Sequence, residues 1–246
     1  MQAGTQKEQI VEAWHFLPSD RRLCWGTKEL VEAGKSYVQA WPYQELDKPT
    51  LCEAGMHASR KPLNALSYAA GSVVCRVLIC GRICEDDDKL VGDERRVLWM
   101  ADAEQTLREF SRWCARSVLH LWYAPEIVRQ YLETGDENIR TEAWDAALHE
   151  ARTAAFDSAR DEARIAAWAA AWEAACAAAW DEARATAWAA ARTAAWAAAR
   201  AAAWDAARTA TWGATRDEAW DAALDEARTA ANIELERLLL TMEPVT

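Results

Sequence analysis

From residue 144 onward, one side chain stands apart from its neighbours at every fourth position. The row reads Trp144, Leu148, Arg152, Phe156, Arg160, Arg164, Trp168, Trp172, Cys176, Trp180, Arg184, Trp188, Arg192, Trp196, Arg200, Trp204, Arg208, Trp212, Arg216, Trp220, Leu224 and Arg228. The residue before each is alanine, except Thr211 and Thr215. Alanine is the best helix former, and no proline occurs between Pro125 and Pro244, so the local state predicted is helix. Asp157/Arg160, Asp161/Arg164, Asp181/Arg184, Asp205/Arg208 and Asp225/Arg228 stand three apart, where opposite charges face each other on a helix surface. Four residues advance a helix by about 400°, so the row drifts about 40° per step and circles the helix. A sustained period above 3.6 favours a right-handed supercoil. The other solution is a set of shorter stacked helices. The expectation is therefore an all-α, Ala/Trp/Arg tetrad-repeat helical array over 141–240. Tryptophan would fill the space between closely approaching alanine-lined helices, and arginine would lie over indole faces. Residues 233–240 (IELERLLL) leave the repeat and predict an end cap.

The first half has a different pattern. Residues 13–17 (AWHFL) and 22–25 (RLCW) are short β-type runs around the turn-like Pro18-Ser19-Asp20. Residues 29–39 predict a hairpin turning at Gly34-Lys35. Ser59 is a good N-cap type, and Pro62 suits the first turn of a short helix over 63–70. Residues 72–83 form the strongest strand pattern. Asp102 predicts the cap of a helix running to about His120, with Leu107, Phe110, Cys114, Val118 and Leu121 as its apolar stripe. Pro125 interrupts it, and 126–132 predict a further turn or two. The organisation read from these patterns is a flexible 1–10, a small α+β domain over 11–122, a helical connector over 123–140, the repeat over 141–240 and a tail over 241–246.

Composition sharpens this division. All six lysines (Lys7, Lys28, Lys35, Lys48, Lys61 and Lys89) precede residue 90, and past Arg140 the basic residues are arginines apart from His149. The formal net charge of −11 argues against free nucleic acid as a partner, because phosphate backbones need a basic surface. It also weighs against reading the tryptophan row as a base-stacking ladder. The seven cysteines are odd in number and no apolar leader precedes them, which predicts reduced thiols in a cytoplasm. Cys80 and Cys84 lie in a strand pattern without paired CxxC spacing or nearby histidines, so no metal site is expected. The run 85–88 (EDDD) lacks the spaced ligands of a calcium loop and predicts a solvated turn. No apolar run reaches the length of a membrane span.

One stretch carries a motif, LCEAGMHASRKPLNALSYAAGSVVCRVLICGRI followed by DDDKLVGDERRVLWMAD. Cys52, Gly55, His57, Ala58, Ser59, Ala65, Leu66, Tyr68, Ala69, Cys75, Arg76, Val77, Asp88, Lys89, Arg96, Leu98 and Trp99 match its pattern, and Met56 stands where leucine is usual. With these residues the chain resembles an uncharacterised N-terminal domain family of tailed-phage and bacterial proteins that carry Ala/Trp/Arg-rich tails. The resemblance covers about half the chain. It implies a phage or prophage setting, hence a host cytoplasm, and supplies no established activity.

Candidate site residues follow from the polar members of that stretch. His57, Ser59, Tyr68, Asp88, Lys89, Arg96 and Trp99 are the expected ligand- or partner-binding set. His57, Tyr68 and Glu94 are the only catalytic candidates, as a weak analogue of NAD-dependent ADP-ribosyl transfer. The alternative for His57 and Ser59 is a helix cap and a fixed turn. Trp180, Trp188, Trp196, Trp204, Trp212 and Trp220 are the expected assembly positions. The function expected is a non-enzymatic binding protein. Its head recognises a host factor or small ligand, its tail assembles copies of the chain, and interference with host defence is one role. A nucleotide- or NAD-directed transferase and a purely structural scaffold are the alternatives. No cofactor is expected. The partners expected are a host protein or a second copy of this chain, with neither free nucleic acid nor membrane.

Overall fold

The structure is a computed structural model that describes residues 9–24, 28–38, 48–121, 123–157, 214–242 and 244. It divides into two compact units, Met1–Ala103 with Leu239–Thr246, and Glu104–Leu238.

The first unit is built on a five-stranded antiparallel sheet. Its strands are β1 (Gln9–Leu17), β2 (Ser36–Val38), β3 (Met56–Ala58), β4 (Val73–Glu85) and β5 (Leu90–Asp102). The short helix α1 (Pro62–Ser67) follows β3. β4 and β5 form a long hairpin, β1 pairs with the free edge of β4, and β2 and β3 both pair with β5. Two register shifts, at Arg76/Val77 and Cys80/Ile83, bend the hairpin. The bending brings the far edge round: Ser59, just past β3, exchanges backbone hydrogen bonds of 2.8 and 3.0 Å with Trp14 of β1. The path β1–β4–β5–β3 thus returns to its own start. One face carries a core of Ala13, Leu17, Tyr37, Met56, Ala58, Val73, Cys75, Val77, Ile79, Leu90, Val97 and Met100, joined by Leu23 and Val31 from the connection after β1. Each large apolar side chain in it contributes about 1.5–3 kcal/mol by burial.

Several local expectations change here. Ser59 does not cap α1. Lys61 occupies that position without a side-chain cap, and the backbone of Ser59 is used in the bridge to β1. Residues 29–39 do not fold on themselves as a hairpin. The turn at Gly34 is present, with φ +82°, yet Leu30 bridges Arg22 while β2 pairs with β5. Asp102 is the last residue of β5, and its Oδ1 accepts the Ser72 hydroxyl at 2.8 Å. Residues 90–102 are a full strand that the sequence reading left unassigned. Trp25 lies outside the described residues.

The second unit is helical: α2 (Glu104–Ser117), α3 (Glu126–Thr134), α4 (Arg140–Asp157) and, reaching just past its end, α5 (Ala214–Leu240). Leu107, Phe110, Cys114 and Val118 are all buried, as the stripe predicts, and the side chain of Leu121 lies outside those described. Pro125 starts α3 and Gly135 ends it in the left-handed conformation, its N–H bonding the Tyr131 carbonyl at 2.8 Å. Asp136 then accepts from the Asn138 N–H and opens the turn into α4.

The fold class read from the sequence requires correction. The described residues hold a five-stranded antiparallel sheet with separate helices, and they do not form an Ala/Trp/Arg tetrad-repeat array. Residues 158–213, with Trp180, Trp188, Trp196, Trp204 and Trp212, lie outside the described residues, as does the side chain of Trp220. In α4, among the described side chains, the buried members of the repeat are Ala143 and Ala147. They pack with Ala115, Val118, Ala124, Val128, Tyr131 and Leu132, and Trp144 is only partly covered. The reason is geometric. An alanine lets two helix backbones approach closely, so the residue before each large one makes the contact. In α5 the buried residues are Ala231, Leu235, Leu238 and Leu239, beyond the repeat.

Candidate functional site

Part of the motif, Cys52, Gly55 and His57, comes together in the loop that leads into β3. Thr50 and Ala54 close that loop by two backbone hydrogen bonds of 2.8 and 3.0 Å. Cys52, at its tip, has φ +64°, a conformation uncommon for a residue with a Cβ. Its N–H donates to Nε2 of His57 at 3.1 Å. The His57 ring also bonds the Gly55 backbone, an interaction that favours the protonated ring and so has the ring N–H donating to the carbonyl. Both nitrogens are therefore engaged by the loop that the ring closes. This arrangement needs the neutral ring, and burial, then Arg95 and Lys89, pull the His57 pKa below its ordinary value against the Gly55 bond. His57 acts as a clamp on the loop.

Tyr68 ends α1 and is 52% exposed. Its hydroxyl donates to Oδ2 of Asp88 at 2.5 Å, which raises the Tyr68 pKa. The Lys89 ammonium lies 5.1 Å from the Tyr68 ring centroid, within cation–π range. Lys89 also lies close enough to the Cys52 side chain for it to be the largest cause of its raised pKa. Asp88 and Lys89 sit in the β4–β5 turn, closed by the Asp86 N–H on the Lys89 carbonyl at 2.9 Å. The bidentate Arg60–Glu85 ion pair ties that turn to the start of α1, with Nη2 to Oε2 at 2.8 Å. The exposed Cys52 and Tyr68 and the half-buried Asp88 and Lys89 thus form one surface face drawn from three stretches of chain, with His57 behind it.

The other sequence candidates lie elsewhere. Ser59 is buried in the bridge to β1. Glu94 and Arg96 occupy β5 opposite Val38 and Ser36 of β2. Strand alternation sends both from the face opposite to that of Arg95 between them. Trp99 packs edge-on to Trp14, ring centroids 5.8 Å apart, and the Arg76 guanidinium lies 4.4 Å from the centroid of the Trp14 ring. His57, Tyr68 and Glu94 therefore do not come together as a catalytic set. The acidic run is a turn with distributed partners, Glu85 to Arg60 and Asp88 to Tyr68. Among the described residues no group of three His, Cys, Asp or Glu is placed to hold a metal ion. No described helix is long and apolar enough to cross a membrane.

Two titratable groups carry no signal in the sequence as site residues. Arg95 is buried, and its Nη1 donates to the His57 carbonyl at 3.1 Å. His15 on β1 lies near enough to feel both Arg95 and His57. The sequence signals only their inward position, by alternation: His15 falls in step with Ala13 and Leu17, and Arg95 with Val97, on the apolar parity of each strand.

Residues 27–109 match the profile of a domain of unknown function, DUF7666, which takes in every motif position from Cys52 to Trp99. No curated protein matches the chain. No solved structure matches it either.

Proposed function

We propose that this chain is a non-enzymatic binding protein whose sheet unit recognises a ligand or partner through the face made by Cys52, Tyr68, Asp88 and Lys89. One observation carries the reading. Residues from separate stretches meet at the surface, and they leave an aromatic ring exposed with a half-exposed cation beside it. Exposed Tyr presents a large rigid contact at low entropic loss, and Lys89 beside it gives the face a positive handle. The disposition of His57 supports binding over transfer chemistry, since both ring nitrogens are occupied by its own loop. The motif resemblance supports a phage or prophage setting in a host cytoplasm, with a host protein as partner and interference with a host process, including defence, as the role. Self-association through Trp180, Trp188, Trp196, Trp204, Trp212 and Trp220 completes the proposal and rests on the sequence period alone. Sedimentation of a Trp196→Ala/Trp204→Ala variant tests it, and an unchanged mass would remove it.

The binding face is tested with full-length bait in bacterial lysate, comparing the wild type with Tyr68→Ala and Lys89→Ala by quantitative mass spectrometry. A stoichiometric partner lost from both variants, with circular dichroism unchanged, supports the face. A partner held equally by all three proteins refutes it.

A further inference from the structure

Among the described residues, the apolar core face of the curled sheet also carries two basic side chains, His15 and Arg95. Along β1 the inward positions are Ala13, His15 and Leu17, along β4 they are Val73, Cys75, Val77 and Ile79, and on β5 they include Arg95 and Val97. Small closed sheets fill such interiors with apolar side chains, and ligands enter at the mouth. Arg95 is 4% exposed, yet among the described residues it has a single hydrogen-bond acceptor, the His57 carbonyl. Its Nε is fully buried with no partner. Among the described residues the titratable groups acting on it are Cys75 of β4, Cys24 after β1 and Tyr37 of β2, and none of these is a carboxylate. Burial pushes the Cys75 thiol up to about 12, so it stays neutral. The Tyr37 hydroxyl is already taken by the Glu32 N–H and the Leu30 carbonyl. Two further described charges act on its neighbours and both are positive: Arg21 on Cys75, and Lys89 on His57. His15 is half-buried, and its ring makes no hydrogen bond among the described residues. A buried guanidinium without a counter-charge is costly, and an anion seated against it removes the cost.

We infer that His15 and Arg95 form a binding site for a phosphate-type oxyanion inside the curled sheet. The planar fork of an arginine takes two oxygens side by side. A protonated His15 from β1 supplies a donor from another direction, which suits a tetrahedral anion better than a planar carboxylate. The anion has two sources, free inorganic phosphate and the phosphoryl group of a nucleotide. The site is separate from the Cys52–Tyr68–Asp88–Lys89 face, and neither His15 nor Arg95 belongs to that face. Binding tightens as pH falls, because the anion favours the charged His15. The groups that face His15 are Arg95 from β5, His57 from β3 and the neutral Cys75 across the β1–β4 ladder.

Titration calorimetry on the full chain tests this with sulfate, inorganic phosphate and adenosine monophosphate at constant ionic strength, with acetate as control. Sulfate reads the pH effect, since its own charge is constant between pH 6 and pH 8. The expected result is saturable oxyanion binding, tighter at pH 6 than at pH 8. It weakens at least about tenfold in His15→Gln and Arg95→Gln, as loss of a charge-assisted donor requires. Tighter binding of the nucleotide identifies the phosphoryl source, and tighter binding of phosphate identifies the free ion. No saturable binding of any of the three by folded protein overturns the site, as does unchanged affinity in a folded variant. Should Arg95→Gln not fold, the half-buried His15→Gln decides. Lysate capture with the Tyr68 and Lys89 variants is read independently, so the two proposals fail separately.

Discussion

Replacing Gly55 by alanine puts a number on how tightly the loop before β3 is held. Gly55 has φ +118°, which residues with a Cβ rarely adopt. A Cβ placed there lies 2.5 Å from Cγ2 of Val91, 3.0 Å from the Gly92 carbonyl oxygen and 3.3 Å from Cβ of Pro49. Val91 is a fully buried strand residue and the carbonyl is backbone, so neither yields easily. Gly34 provides the comparison. Its φ is +82°, and an added Cβ meets nothing within 4 Å. Gly34→Ala therefore carries only the backbone term, about 1–3 kcal/mol. Gly55→Ala carries that term and an overpacking term of about 1–3 kcal/mol, for a total of about 2–6 kcal/mol. The strain also pulls on the Cys52–His57 bond, since all three residues share one loop. The chain has two compact units, so a global melt would mix their transitions. Hydrogen exchange of β4–β5 peptides, followed by mass spectrometry over a urea series, reads this unit alone. Equal losses of protection in Gly34→Ala and Gly55→Ala would refute the steric argument.

Three further outcomes are expected. His15 and His57 both have pKa values lowered in the fold, so the unfolded chain binds more protons near its ordinary value of about 6.5. Their contribution to stability is full above about pH 6.5 and falls as pH drops, by at most about 1.4 kcal/mol per pH unit for each histidine, less for the part-exposed His57. Protection of β4–β5 peptides that rises on acidification from pH 7.5 to 5.5 would contradict this sign. Ala147→Leu should destabilise the helical unit by about 1–3 kcal/mol, because Ala147 is fully buried, whereas Asp145→Leu on the exposed side should change it by no more than about 0.5 kcal/mol. Urea denaturation followed on α3–α4 peptides compares them, and equal effects would remove the alanine-contact account. Brief iodoacetamide treatment at pH 8 should label the exposed Cys52 and Cys84 and spare the buried Cys75 and Cys114, whose thiols burial holds neutral. Peptide mapping that finds Cys75 alkylated as fast as Cys84 would show an open interior.

How much of this was legible depended on where the deciding contact lay. The stripe of α2 was plain because helix period and burial coincide in one segment. β4 was plain because valine and isoleucine crowd it. β5 was hidden because Asp93, Glu94, Arg95 and Arg96 break its apolar rhythm; Asp93 is held by Arg82 across the hairpin, with Oδ1 to Nη2 at 2.8 Å, a partner visible only once the strands are paired. The same blindness hid Arg95 and His15, whose meaning comes from sharing an interior rather than from spacing. Tyr68, Asp88 and Lys89 of the motif are neighbours in the fold, whereas Glu94 and Trp99, close to them in sequence, lie elsewhere on the sheet. The repeat misled for another reason: its tryptophans draw attention, and the packing in α4 is done by the small residues between them.

The bridge from Ser59 to Trp14 has a consequence for how the chain must assemble. β1 ends at Leu17 and its partner β4 begins only at Val73, and the Glu12–Arg76 ion pair joins residues 64 apart in sequence. The β4–β5 hairpin is local and can form first, whereas β1 must find it across a long loop closure. Until it does, the apolar edge of β4 lies open to any other strand, which is a template for aggregation. The N-terminal strand is thus a built-in chaperone for the hairpin. A bulky fusion placed just ahead of Gln9 would be felt as insolubility during synthesis, before any effect on the finished fold.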